Sequence, residues 1–209
     1  MSDDGPRTWT MDDDSYASNP GRLKVQRLRW FRFHPFWSLV WIGLTALMIS
    51  FALRSNPFWW AGVGLCLGCF SYYWKRVEEQ FVHGCVNAAQ VVALKPTRIA
   101  VSTDLGNSGP VYPALKVIPT GLTSIDGKPL EVGQRLATVS VYGAGEDESL
   151  DRWVDFFPAL VDCATTDPEA RVRIFSSITE EEWSNLEQAL SSVDDPTRPA
   201  LHELWKSSP

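Results

Sequence analysis

FWSLVWIGLTALMISFAL at Phe36–Leu53 and FWWAGVGLCLGCFSYYW at Phe58–Trp74 decide how the rest of the chain is read. The first is 18 residues without a charge and the second is 17. At ~1.5 Å per residue each helix would span roughly 25–27 Å, close to the ~30 Å hydrocarbon layer of a bilayer. Aromatic residues sit at the ends of both runs: Trp30, Phe33 and Trp37 before the first, Trp59 and Trp60 at the far turn, and Tyr72, Tyr73 and Trp74 at the return. Trp and Tyr settle at the headgroup level, so they extend a short span. Between the runs, Arg54-Ser55-Asn56-Pro57 is built to turn, with Asn56 suited to capping and Pro57 to a first helical position. A transmembrane helical hairpin over residues 36–76 is expected, integral to the membrane with two spans.

The charges around it set its direction. Arg22, Lys24, Arg27, Arg29 and Arg32 precede the first run, Lys75 and Arg76 follow the second, and the turn holds only Arg54. Cations stay on the cytoplasmic side, so both termini are expected in the cytoplasm, with the hairpin in the inner membrane. The apolar run starts too late for a signal peptide and is followed at once by another. Gly64 and Gly68 form a GxxxG, which would pack the hairpin on itself or, alternatively, make a homodimer contact. Residues 22–35 interleave the five cations with Leu, Val, Trp and Phe, the composition of a juxtamembrane segment gripping anionic headgroups through Arg22, Lys24, Arg27, Arg29 and Arg32. Residues 1–21, acidic and without periodicity, read as a disordered tail.

The two halves of the chain differ in charge. Residues 1–76 carry nine Lys and Arg against five Asp and Glu, a balance of +4. Residues 77–209 carry ten against twenty, a balance of −10. An acidic C-terminal part repels a phosphate backbone, so nucleic acid is excluded as its partner.

From residue 78 the texture changes to short β-rich runs at Val86–Leu94, Arg98–Thr103, Ala114–Ile118 and Arg135–Tyr142, separated by Gly, Pro, Asn and Asp. Two helices should follow. Asp167-Pro168 starts one over Pro168–Ser177, and Thr179-Glu180-Glu181-Glu182 is a capping box for the next, with Trp183, Leu186, Leu190 and Val193 on one face. The fold class is therefore α+β. It comprises a transmembrane hairpin, then a small antiparallel β-sheet or partly closed β-barrel over residues 78–193 with two C-terminal helices, and a loosely ordered tail over residues 194–209.

Five segments carry a resemblance: Asn87–Leu105, Val111–Ile118, Val132–Tyr142, Trp153–Asp167 and Glu180–Trp183. With the hairpin, they resemble a bacterial family of small two-helix membrane proteins with a cytoplasmic β-rich domain of unknown function. The resemblance implies no activity and transfers no catalytic residue. The plan also resembles the NfeD-like membrane proteins in architecture alone.

Chemistry is hard to place on this sequence. Cys66 and Cys69 share a face of the second apolar run, where they read as small apolar packers. His83, Cys85 and a distant Cys163 lack a fourth ligand, so neither a metal nor a cofactor is expected. The three histidines, His34, His83 and His202, build no nucleophilic triad, and Gly143-Ala144-Gly145 lacks the lysine of a phosphate loop. The most suggestive cluster is Trp153, Asp155 and Phe156, with Asp104 and Tyr112 as candidates to line the same groove. Aromatics around a carboxylate make a recognition surface, although inward-facing rings of a core strand would give the same pattern. The expected function is a non-enzymatic, membrane-anchored cytoplasmic module that holds a protein partner at the inner membrane. The alternatives are an accessory subunit of a membrane complex acting through its hairpin, and an enzyme without a recognised motif.

Overall fold

The computed structural model describes residues 17–107, 109–144 and 151–206. Most of the acidic tail read as disordered, and the loop after Ala144, lie outside the described residues. Three helices lead: α1 (Arg27–Phe33), α2 (Pro35–Arg54) and α3 (Trp59–His83). Pro35 opens α2 where a helix has no use for an N–H. The turn after Arg54 forms, with Asn56 Oδ1 accepting the Phe58 N–H at 2.9 Å, but α3 starts at Trp59, two residues beyond the expected Pro57. Helices α2 and α3 then pack along one another as a hairpin.

Among the described residues, one helix, Pro35–Arg54, is long and apolar enough to cross a membrane, and only 6% of its apolar window is buried. In α3 the uncharged run is diluted by Gly, Trp and Tyr and stops at Lys75. The helix itself does not stop there. It continues without a break to His83, and Trp74, Val77 and Phe81 of its second half are buried in the domain core.

That domain is built on a six-stranded antiparallel sheet of β1 (Cys85–Leu94), β2 (Thr97–Asp104), β3 (Pro113–Pro119), β6 (Arg135–Gly143), β7 (Asp155–Leu160) and β8 (Leu201–Glu203), in the order β7-β6-β1-β2-β3-β8. A separate two-residue pair, β4 (Ser124–Ile125) and β5 (Lys128–Pro129), closes through Asp126 and Gly127 at φ 51° and 78°. Positive φ at both central positions is what a tight hairpin demands, and Asp-Gly supplies it. The four expected strands all form, within a residue or two of the sequence reading. Residues opposite one another share a face, so Asn87, Thr103 and Thr138 lie on one side of the sheet and Ala88 and Ala137 on the other.

The sheet curls into a half-barrel. Its outer side is covered by α3, by α5 (Pro168–Ser176) and by α6 (Glu180–Ser192), joined to β7 through a short α4 (Val161–Ala164). Asp167 caps α5 by accepting the Glu169 N–H at 3.0 Å. The capping box forms as expected: Thr179 Oγ1 accepts the Glu182 N–H at 3.2 Å, and Glu182 Oε2 accepts the Thr179 N–H at 2.6 Å. Trp183, Leu186 and Ala189 are the buried stripe of α6, with Leu190 and Val193 only partly covered.

The core crosses the expected domain boundaries at both ends. Leu23, Val25 and Trp30, from the segment assigned to the lipid surface, are buried together with Phe81, and the Trp30 and Phe81 rings meet edge to face at 5.3 Å. Arg27 pairs with Glu78 at 2.8 Å, and Arg29 Nε donates to the Asp162 carbonyl at 2.6 Å. These two cations are therefore held by the protein, while Arg22, Lys24 and Arg32 stay exposed. The tail expected to be loose supplies β8 instead, because Leu201, Leu204 and Trp205 find apolar cover against the core. The core therefore draws on residues from Leu23 to Trp205, on both sides of the expected span 78–193.

Candidate functional site

Curling brings the two sides of the sheet together at one mouth. Lys116 of β3 and Asp155 of β7 stand on strands separated by β2, β1 and β6, yet Lys116 Nζ lies 2.8 Å from Asp155 Oδ1. The same ammonium donates to the Phe156 carbonyl at 2.6 Å and lies 4.8 Å from the centre of the Phe157 ring. With Lys116 largely covered, this pair is a clasp across the opening.

On the same face of the sheet as Lys116 is a partly buried polar group. Thr103 Oγ1 and the Tyr142 hydroxyl are 2.6 Å apart, and Asn87 Nδ2 donates to Thr103 Oγ1 at 2.9 Å. Asn87 Oδ1 and the hydroxyl of Ser140 have no partner among the described residues. Burial pushes the Tyr142 phenol far above its ordinary range, so it remains a hydrogen-bond donor at any physiological pH. Burial also raises the Cys85 thiol, and it lifts that of Cys163 to about 12. Thiols so raised stay protonated and are poor nucleophiles. All four cysteines are free, and among the described residues no three His, Cys, Asp or Glu side chains stand close enough to hold a metal.

The rim of the mouth is more accessible. Asp104 Oδ1 accepts the N–H groups of Gly106 and Tyr112, at 2.8 and 2.7 Å, and so shapes the loop between β2 and β3. At Gly106 a Cβ would sit 2.5 Å from the Pro110 carbonyl, so the tight loop needs glycine there. Backbone bonds from Asn107 to Asp151 and from Trp153 to Leu105 fasten this loop to the approach of β7. Tyr112 donates its hydroxyl to both oxygens of Asp151, at 2.8 and 2.9 Å. Arg152 lies over Tyr112 at 5.1 Å and over Trp205 at 5.6 Å, and the two rings meet edge to face at 5.3 Å.

The structure thus divides the residues singled out in the sequence. Trp153 and Phe156 are buried and belong to the core, as the inward-ring reading of that strand allows. Asp155 is the acid of the clasp, and Asp104 and Tyr112 come together at the rim. Arg152, Trp205 and Lys116 were missed. Arg152 adjoins the Trp153 cluster, and Leu201 and Trp205 were a legible apolar pair in the tail. Nothing in sequence spacing could tell that Lys116 faces Asp155 across the curl. Gly64 and Gly68 do not pack the hairpin: a Cβ at either meets nothing within 4 Å, whereas at Gly62 it would touch Met48 Sδ at 3.0 Å.

Residues 74–194 match the model of a family described as "Protein of unknown function (DUF3239)". The chain belongs to this family. The matched region starts at Trp74, where α3 enters the core, and ends just after α6, before the tail that forms β8. Among solved structures, the chain is similar to a crystal structure described as that of a "putative membrane protein" from Corynebacterium diphtheriae, at 25% identity and a TM-score of 0.48, covering 56% of this chain and 98% of that one. No curated protein matches.

Proposed function

We infer that the chain is a membrane-anchored, non-enzymatic module that presents its half-barrel mouth to a protein partner at the cytoplasmic face of the inner membrane. The observation that carries the anchoring is the surface of the hairpin. Leu39, Ile42, Leu47 and Phe51 on α2 and Trp60, Leu65 and Leu67 on α3 are exposed, and they face several directions. A helix pair apolar all round needs a bilayer or a large protein to cover it. Unlike a tether, α3 carries the domain rigidly, so the mouth keeps a set orientation to the hairpin.

The non-enzymatic reading draws on the chemistry of the mouth. Its Asp155 is neutralised by Lys116, its phenol and the neighbouring Cys85 thiol are held protonated, and its rim offers aromatic rings and paired charges suited to recognition. A second reading, an accessory subunit that joins a membrane complex through its helices, is favoured by the open face at Gly64 and Gly68.

Impermeant thiol labelling of a cysteine-free variant in intact cells tests the placement. Cysteine at Ser55 should react and cysteine at Lys128 should not; the reverse pattern rejects a cytoplasmic domain. Crosslinking from Tyr112 and from Gly64 in native membranes separates the two readings, since the module reading expects the adduct from Tyr112.

A further inference from the structure

The two edges of the sheet are closed by different means. At β7 the closure is built from side chains. Pro158 has no N–H to offer, Asp155 Oδ1 accepts the Phe156 N–H at 2.8 Å, and Lys116 Nζ donates to the Phe156 carbonyl. At β3 the closure is a short segment near the C-terminus. Strand β8 is three residues long, pairing Leu201, His202 and Glu203 with Lys116, Leu115 and Ala114, and the Val117 N–H adds one bond to the Ala200 carbonyl at 2.9 Å. Beyond this pairing the segment is fixed at two ends. Arg98 Nη1 donates to the Thr197 carbonyl at 2.7 Å, and Trp205 seats against Tyr112 and Arg152. All three residues of β8 are only partly buried, as is Trp205.

We propose that the β3 edge, with the Tyr112–Arg152 seat at its end, is a strand-accepting groove for an extended peptide of a protein partner, and that residues 197–206 are its built-in occupant. Adding a strand to an exposed edge supplies backbone hydrogen bonds for affinity and leaves side-chain seats to set specificity. The occupant displays the pattern the groove takes: an aliphatic residue opposite Lys116, as Leu201 is, and an aromatic residue four positions later, as Trp205 is. An internal strand competes at an effective concentration on the order of millimolar, so a peptide added from outside meets a groove that is open only a small fraction of the time. Displacing the tail is therefore the step that switches binding on. The proposal rests on the reading of the chain as a partner-binding module and names the site and the kind of ligand.

The test uses the full chain in detergent micelles and a labelled synthetic peptide of residues 198–206. Trp205→Ala should raise hydrogen exchange at the Val117 amide at least tenfold and tighten peptide binding by roughly the same factor. The same peptide carrying alanine for its tryptophan should bind far more weakly. Unchanged exchange at Val117 would show that Trp205 does not hold the tail and would overturn the assignment. So would released exchange without any gain in peptide binding. A wild-type dimer that Trp205→Ala dissolves would hand the groove to the tail of a second copy instead. Peptide binding without a Tyr112 adduct in membranes would sustain the groove and reject the module reading, so the two failures are distinguishable.

Discussion

The two halves of α3 are one helix in two surroundings. From Trp59 to Trp74 it carries no charge and leaves Trp60, Leu65, Leu67 and Tyr72 exposed. From Lys75 to His83 it is charged on its outer side, with Lys75 and Arg76 both reaching Glu79, and buries Val77 and Phe81 on its inner side. A helix with an apolar stripe and a polar face is a domain helix, and one apolar all round is not. The change falls within one turn, with no proline, glycine or break to mark it. What looks like a span followed by a linker is a single helix that joins an exposed apolar half to the domain core.

The largest effect should come from cutting the helix's grip on the domain. Phe81→Ala removes a ring with no solvent exposure that packs on Trp30, and should cost about 3–5 kcal/mol. A thermal melt of the purified protein, followed by near-ultraviolet dichroism, reads this directly. An unchanged melting temperature would mean that the lower half of α3 is not part of the core.

Trp183→Ala should follow closely, at about 3 kcal/mol, because the ring is buried, tilts against Phe175 at 5.2 Å and lies under Arg135 at 4.8 Å. It strikes the domain through α6 rather than through α3. If the domain is one unit, the two variants should give the same single, earlier transition.

In the upper half the same kind of change should act on placement rather than on folding. Leu65 is 69% exposed, so Leu65→Arg should leave the domain's melting temperature unmoved. Against membrane insertion it should cost about 2.5–3.5 kcal/mol, visible as a loss of the protein from the carbonate-resistant membrane fraction. Full recovery in that fraction would break the contrast between the two halves.

The smallest effects lie where the domain meets α1. Arg171 bonds Asp126 at 2.7 Å and Asp162 at 3.1 Å, and the two acids respond oppositely. Burial raises the Asp162 carboxyl above its ordinary value, whereas the hydrogen bond from Arg171 lowers that of Asp126. A raised acid binds its proton more tightly when folded, so stability from Asp162 grows as the pH falls from neutral through that raised value. A lowered acid does the reverse, and the contribution of Asp126 is lost as the pH falls below its ordinary value. Melting temperatures between pH 7 and pH 3 should therefore lose the gain in Asp162→Asn and the late loss in Asp126→Asn.

The local signals in the sequence were reliable. The capping box at Thr179, the Asp167-Pro168 start, the Asn56 turn and four alternating strands all formed, because each depends on residues within a few positions of one another. What eluded reading was long-range. Leu23, Val25 and Trp30 sit among five cations, and only their burial under α3 shows that composition misled there. The residues 201–205 looked like a tail because a three-residue strand has too little alternation to register. For the site, Asp104 and Tyr112 were legible as neighbours, but the clasp needed the curl of the sheet, which no spacing encodes.

The unbroken α3 has a mechanical side. Twenty-five residues make a lever of about 37 Å, and transmembrane helices commonly lean by ~20° from the bilayer normal. Without a joint at Lys75, such a lean would not be absorbed between anchor and domain. It would swing the far end of the lever sideways by about 13 Å and turn the half-barrel with it. With the hairpin in a bilayer as proposed, thickness and lateral pressure would become settings for the direction in which the mouth points.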